Sequence, residues 1–283
     1  MLSMLRLSLT TLLLSSTLFA SSQDADLKEF LTNKFKNNPR ILDLTVDIVD
    51  KNLVKSLEAK DAKNNWYAYV LKVKAKVKTK GKKQDLTQKM IWFSNGTIIT
   101  QDFIDMDTGD SLKDDYPSFE DEYYKKENLI YGNADAKHKV AIFSDPLCPF
   151  CKRFVPKAIK EMKKQPEKFA IYYFHFPLAL LHPASPTLTK AAIVAEEQGV
   201  KDVVLKLYTV KIDYKETDVK KILKAFNKTM KTDITPKDLE SKEVKMQVKL
   251  DEKIADDAMV GGTPTIFFDG KLDKSKKKYK EVK

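Results

Sequence analysis

Hydrophobic positions change period along the first hundred residues. Over 26–35, Leu27, Phe30, Leu31 and Phe35 recur at helical spacing, which predicts an amphipathic helix that Pro39 ends. Alternating or β-branched stretches follow at 41–49, 66–73 and 87–94. Between 73 and 78, Val73, Ala75 and Val77 alternate strictly with lysine, the pattern of a strand with one wet face. Asn95-Gly96 predicts a hairpin turn into 97–99. One helix against an antiparallel sheet is the expected build. The second half reads differently. A short apolar run at 140–143 predicts a central strand, and Phe154, Val155, Ala158, Ile159 and Met162 predict a helix over 152–164, kinked by Pro156. A second strand is expected at 169–176, closed by Pro177. Four helical patterns follow: the Ala-rich 187–198 stopped by Gly199, one carrying Val203, Val204 and Leu207, one carrying Val219, Ile222, Leu223 and Phe226, and one from Pro236 toward Met259. A last strand at 265–268 ends in an Asp269-Gly270 turn and a lysine-rich tail.

These patterns divide the chain. Residues 1–22 read as a cleaved secretory signal: one arginine, an apolar stretch broken by hydroxyl residues, then small residues around Ala20 to Ser22. Residues 23–115 are expected to form a small α+β domain, and 116–133, with Phe119, Tyr123, Tyr124 and Leu129, a partly helical linker ending at the Tyr131-Gly132-Asn133 turn. Residues 134–283 are expected to form the second domain. The formal charge of +11 comes from 51 Lys and Arg against 40 Asp and Glu, and the lysines are interspersed with carboxylates. That describes a solvated surface and argues against a nucleic-acid partner. Asp102, Asp105, Asp107, Asp110, Asp114 and Asp115 lack the glycine and glutamate spacing of a calcium loop, so a solvated acidic loop is expected.

The candidate chemistry lies between the strand at 140–143 and the helix that follows. Cys148 and Cys151 are the only cysteines, spaced C-x-x-C in Ser144-Asp145-Pro146-Leu147-Cys148-Pro149-Phe150-Cys151. Strand, redox pair and helix in that order are the thioredoxin arrangement. Cys148 is expected in the first helical turn, accessible, where unpaired N–H groups and the helix dipole favour a thiolate. Cys151, three residues on, is placed to attack a mixed disulfide formed there. Pro149 suits an early helical position. Half a zinc site would need two more ligands from His138, His175, His182 or carboxylates, and a structural bond this short closes almost no loop, so no metal is expected. Asp145 is expected to cap or orient the loop, and His182, in Leu181-His182-Pro183, to approach the pair as a modulator. His175 reads as a core histidine. Far downstream, Gly261-Gly262-Thr263-Pro264-Thr265 opens the last strand, and Pro264 is the candidate for a cis proline facing the pair.

The stretch 143–151, together with 262–265, resembles the bacterial periplasmic Dsb thiol-disulfide proteins, most closely the dimeric DsbC/DsbG type and DsbA-like dimeric relatives in epsilon-proteobacteria. The resemblance covers the second half of the chain. It implies a thioredoxin fold with an inserted helical subdomain, here about 184–258, and an N-terminal α+β dimerisation domain. It further implies Cys148 as attacking and Cys151 as resolving cysteine, a Cys148–Cys151 disulfide in the oxidised form, and a substrate groove at Pro149, Phe150, Thr263 and Pro264. The implied activity is thiol:disulfide interchange in the periplasm on unfolded or misoxidised exported proteins, without a bound cofactor, by a homodimer. A membrane partner would reset the pair, DsbD-like for a reductase or isomerase, DsbB-like for an oxidase. Pro149-Phe150 differs from the Pro-His, Gly-Tyr and Pro-Tyr dipeptides of that family. Isomerase or reductase, dimeric oxidase and non-redox client-binding module therefore all stand as readings.

Overall fold

The structure, a computed structural model, describes the backbone of residues 13–61, 64–79 and 82–282, with the side chains of these residues from 23 onward except Thr79. The expected signal at 1–22 thus lies mostly outside the described residues. The chain divides into two compact units between Tyr116 and Pro117.

In the first unit, helix α1 (Leu13–Lys36) lies on a four-stranded antiparallel sheet of order β1-β2-β3-β4, made by β1 (Ile41–Leu53), β2 (Tyr67–Thr79), β3 (Lys82–Ser94) and β4 (Ile99–Thr100). Leu27 and Leu31 pack with Leu44, Val46, Tyr69, Leu71, Val73 and Trp92, so the helical stripe and the alternating strand faces close one core. β2 is one strand where two adjacent patterns were read, and β3 starts five residues earlier than its apolar part. Lys82, Lys83, Gln84 and Asp85 are exposed and patternless, yet they pair in register with 76–79 of β2. Backbone pairing along an existing strand carries them. At the expected turn, Gly96 takes φ +87° and the Asn95 carboxamide accepts from the backbone N–H groups of Thr97 (3.1 Å) and Ile98 (2.8 Å). In the acidic loop, Asp105 accepts from its own loop, from Asp107 N (2.9 Å) and Thr108 N (2.9 Å), and those bonds hold its carboxyl below the usual range. Tyr116 ends the unit, edge-on to Phe93 at 6.0 Å.

The second unit carries a five-stranded sheet of order β5-β7-β6-β8-β9, from β5 (Leu129–Tyr131), β6 (His138–Ser144), β7 (Phe169–His175), β8 (Thr265–Phe268) and β9 (Lys271–Leu272). β6 and β7 are parallel; every other pairing is antiparallel. Period-two alternation sends Val140, Ile142, Ile171 and Tyr173 to the face covered by α2 (Pro149–Met162). Ala141, Phe143, Tyr172 and Phe174 face α6 (Lys242–Asp257). Helix α2 runs unbroken through Pro156. Between β7 and β8, α3 (Ser185–Glu197), α4 (Val203–Leu207) and α5 (Val219–Met230) build a helical core of their own around Leu188, Ala192, Leu207, Ile222 and Phe226. This is a thioredoxin fold with a helical insertion, preceded by an α+β domain.

Residues 117–133, expected as a linker, pack within the second unit. Phe119 is 2% exposed, stacked on Phe267 at 5.0 Å and edge-on to Phe143 and Phe174, and its N–H donates to Gly270 O at 2.7 Å. An aromatic-rich stretch behind a proline does not announce this docking; only the apolar hollow beside β6, β7 and β8 explains it. Truncating Phe119 to Ala is expected to cost about 3–5 kcal/mol, read as a lower urea midpoint for the second unit. The turn after β5 requires glycine: Gly132 has φ +83°, and a Cβ there would sit 1.9 Å from Phe169 O.

Candidate active site

The register of the central strands brings the two sequence motifs together. Phe143 of β6 lies opposite Thr265 of β8, so the residues leaving β6 run beside the residues entering β8. The Thr263–Pro264 peptide is cis, and Cys148 Sγ stands 3.7 Å from Thr263 O. Cys148 is the N-cap of α2, one residue before the first turn expected for it, because Pro149, with no N–H to satisfy, takes the opening helical position. It is also less open than expected. The residue is 5% exposed, between buried Leu147 and the Thr263 carbonyl. Phe150, in contrast, is 64% exposed, with the Arg153 guanidinium 5.0 Å from its ring centre.

Cys151 faces inward and is 0% exposed. Burial pushes its thiol up to about 11; the Ser144 hydroxyl and the backbone at Asp145 act the other way, and Cys148 adds to the rise. Both cysteines are free thiols, so the structure holds the reduced form of the pair.

Asp145 organises the loop. Its side chain is 0% exposed. Oδ1 accepts from the N–H of Leu147 (2.7 Å), the N–H of Cys148 (3.2 Å) and the Ser185 hydroxyl (2.7 Å). Oδ2 accepts from Leu178 N (2.7 Å) and lies 3.0 Å from His182 Nδ1. One carboxylate therefore ties the cysteine loop to the 178–185 loop and the start of α3. His182, expected to approach the pair, meets Asp145, the carboxylate that also accepts from Cys148 N, and packs edge-on against Tyr214. His175 is a core residue, with its Nδ1 unpartnered and burial pulling it down to about 4.

Sequence reasoning missed two sets of groups. Ser144 Oγ lies 2.6 Å from Tyr208 OH, which lies 2.9 Å from Tyr173 OH, all buried on the α2 face. The alternation along β6 and β7 carried the signal for Ser144 and Tyr173. The other set surrounds Asp251 on α6, which accepts from Asn128 Nδ2 (2.8 Å), Gln247 Nε2 (2.8 Å) and His175 N (2.9 Å). Burial carries Asp251 up to about 7 and Glu196, which also feels Asp251, up to about 8. Among the described residues, no group of three or more His, Cys, Asp or Glu could hold a metal ion.

That second set fixes a pH dependence. Asp251 and Glu196 titrate higher folded than unfolded, so their contribution is full below the ordinary carboxylate pKa and is lost as pH rises through about 7 and 8. His175 works oppositely: its contribution is present above about 6.5 and lost as pH falls toward about 4. Urea midpoints are therefore expected to fall between pH 6.5 and 8, and Asp251→Asn to make that fall shallower.

Residues 125–283, more than half the chain, match the family model described as Thioredoxin. The chain belongs to the thioredoxin family. No curated protein matches it. Among solved structures it is similar to a thioredoxin-like oxidoreductase from Silicibacter pomeroyi DSS-3, at 21% identity over 53% of this chain and 84% of that one, with a TM-score of 0.43. It is also similar to ScsC from Proteus mirabilis in a compact conformation, at 21% identity over 53% and 73%, with a TM-score of 0.41. Oxidised BdbD from Bacillus subtilis stands at 25% identity over 55% and 89%, with a TM-score of 0.42. In this thioredoxin-family chain, a C-x-x-C pair at the start of α2 meets a cis-prolyl loop, an arrangement suited to thiol–disulfide redox chemistry.

Proposed function

We propose that the chain is a thiol:disulfide interchange protein of the DsbC/DsbG type, a reductase or isomerase of exported client proteins in the periplasm. The observation that carries this reading is the asymmetry of the pair. Cys148 sits at the helix end against Thr263 O, while Cys151 is sealed beneath it with a raised pKa. Cys148, as thiolate, attacks one sulfur of a client disulfide; a Cys148–client disulfide forms and the other client sulfur leaves as a thiolate. A second client thiolate then displaces Cys148, which moves a disulfide with no net electron transfer. Alternatively Cys151 displaces the client, leaving a Cys148–Cys151 disulfide and a client reduced by two electrons. A DsbD-like membrane reductant would return those electrons, and no bound cofactor enters the cycle.

Client contact is assigned to Phe150 and to Leu180, which is 99% exposed on the 178–185 loop that Asp145 ties to the cysteine loop. Phe150 also places no imidazole in the middle of the pair, which favours the reducing direction over a DsbA-like oxidase. The first unit holds no cysteine, and its proposed work is to pair two chains so that two sites share one client. A scrambled-disulfide client incubated with the reduced protein tests the direction. Recovery of native pairings is expected, with Cys151→Ser losing net reduction but keeping part of the reshuffling. Oxidation of a reduced client with no repair of a scrambled one would overturn the assignment.

A further inference from the structure

Cys151 must attack as a thiolate, yet it is shut away from water. Asp145, the acid that follows β6, offers it no side-chain help, because its carboxylate already serves five other groups. What the interior supplies is hydroxyls. Cys151 shares one buried cluster with Tyr173 on β7 and Tyr208 just after α4, and the Ser144 hydroxyl at the end of β6 acts on its thiol. Ser144, Tyr208 and Tyr173 are linked at 2.6 and 2.9 Å. Burial keeps both tyrosines protonated far above neutral pH, so they act as neutral hydroxyls. Thr263 Oγ1 is buried without a hydrogen-bond partner in the dithiol form. A buried polar atom left unsatisfied in one state calls for a partner in another.

We propose that Tyr173, Tyr208 and Ser144 donate in sequence, each hydroxyl to the next and the Ser144 hydroxyl to Cys151 sulfur, so that the chain holds the Cys151 thiolate during resolution of the mixed disulfide. Ser144 would touch the reacting sulfur, and the two tyrosines are positioning residues acting through it. Three aligned hydroxyls polarise one another, and a donor to an anion in a low-dielectric interior is worth more than one to a neutral thiol. The step balances within the complex. The Cys151 sulfur bonds to Cys148 sulfur, the Cys148–client bond breaks, and the departing client sulfur ends with the proton that Cys151 gave up. The inference rests on the exchange chemistry proposed above.

The test uses the reduced full chain and oxidised glutathione, quenched with acid at short times and weighed by mass spectrometry. Attack by Cys148 appears as the glutathione adduct; resolution appears as its decay to the internal disulfide. Ser144→Ala is expected to slow the decay by about tenfold to a hundredfold, Tyr208→Phe by a smaller factor and Tyr173→Phe by less again. The pH profile of the decay should move to higher pH in each, and Ser144→Thr should restore both rate and profile. Adduct formation should stay at the parental rate. If Tyr208→Phe fails to fold, Tyr173→Phe and Ser144→Ala decide. An unchanged decay rate and pH profile in these variants would overturn the hydroxyl chain. No adduct in the parent protein would instead overturn the exchange reading beneath it.

Discussion

Replacing Cys148 by Ser is expected to abolish reduction of insulin disulfides, by about three orders of magnitude or more, while the fold keeps its urea midpoint. An alcohol is a far poorer nucleophile than a thiolate at neutral pH, and no second cysteine can stand in, since Cys151 is buried and pushed up to about 11. The companion variant should behave in the opposite sense. With Cys151 changed to Ser, Cys148 still attacks, nothing intramolecular displaces the client, and mixed disulfides accumulate as bands that collapse on adding reductant. A Cys148→Ser protein that retains reduction would mean that the chemistry lies elsewhere.

The second large effect concerns Asp145. Removing its carboxylate in Asp145→Ala would strand buried donors on Leu147, Cys148 and Ser185 and part-buried ones on Leu178 and His182. A broken buried charged network of this kind costs about 3–5 kcal/mol, enough to be plain in the urea midpoint of the second unit. The same change frees the cysteine loop from the 178–185 loop, so exchange should slow even in the folded fraction. Asp145→Asn, which keeps one acceptor oxygen, should lie between parent and Ala in both measurements. If Asp145→Ala melts as the parent does, the carboxylate is not the tie that its five contacts suggest.

Much of this was legible along the chain because it rests on local chemistry. The Cys148–Cys151 spacing, Pro149 at the helix start and the glycine-proline-strand run at 261–268 each encode backbone geometry in a few residues. Their meeting in space needed only the pairing of two short apolar strands. Asp145 was readable as a loop residue, but not as a five-fold acceptor, since Leu178 and Ser185 come to it only through the fold. His182 was readable as a loop histidine, but not its partner: a loop histidine follows whichever charge the packing presents, here the Asp145 carboxylate that also accepts from Cys148 N. Phe119 looked like part of a connector because a single aromatic carries no period. Tyr208 ends a five-residue helix, too short for a pattern to reveal that its hydroxyl meets Ser144. Contacts written by tertiary packing leave no period behind.

The most direct measurement is a redox titration of the Cys148–Cys151 pair. The protein is equilibrated across a series of glutathione or dithiothreitol buffers, trapped with acid and alkylated for counting of free thiols by mass. One reversible two-electron transition is expected, with both thiols disappearing together and a midpoint in the thioredoxin-to-isomerase range, about −270 to −180 mV. Two thiols that stay free through the most oxidising buffer, or that are lost one at a time to glutathione without forming the internal disulfide, would contradict a working redox pair.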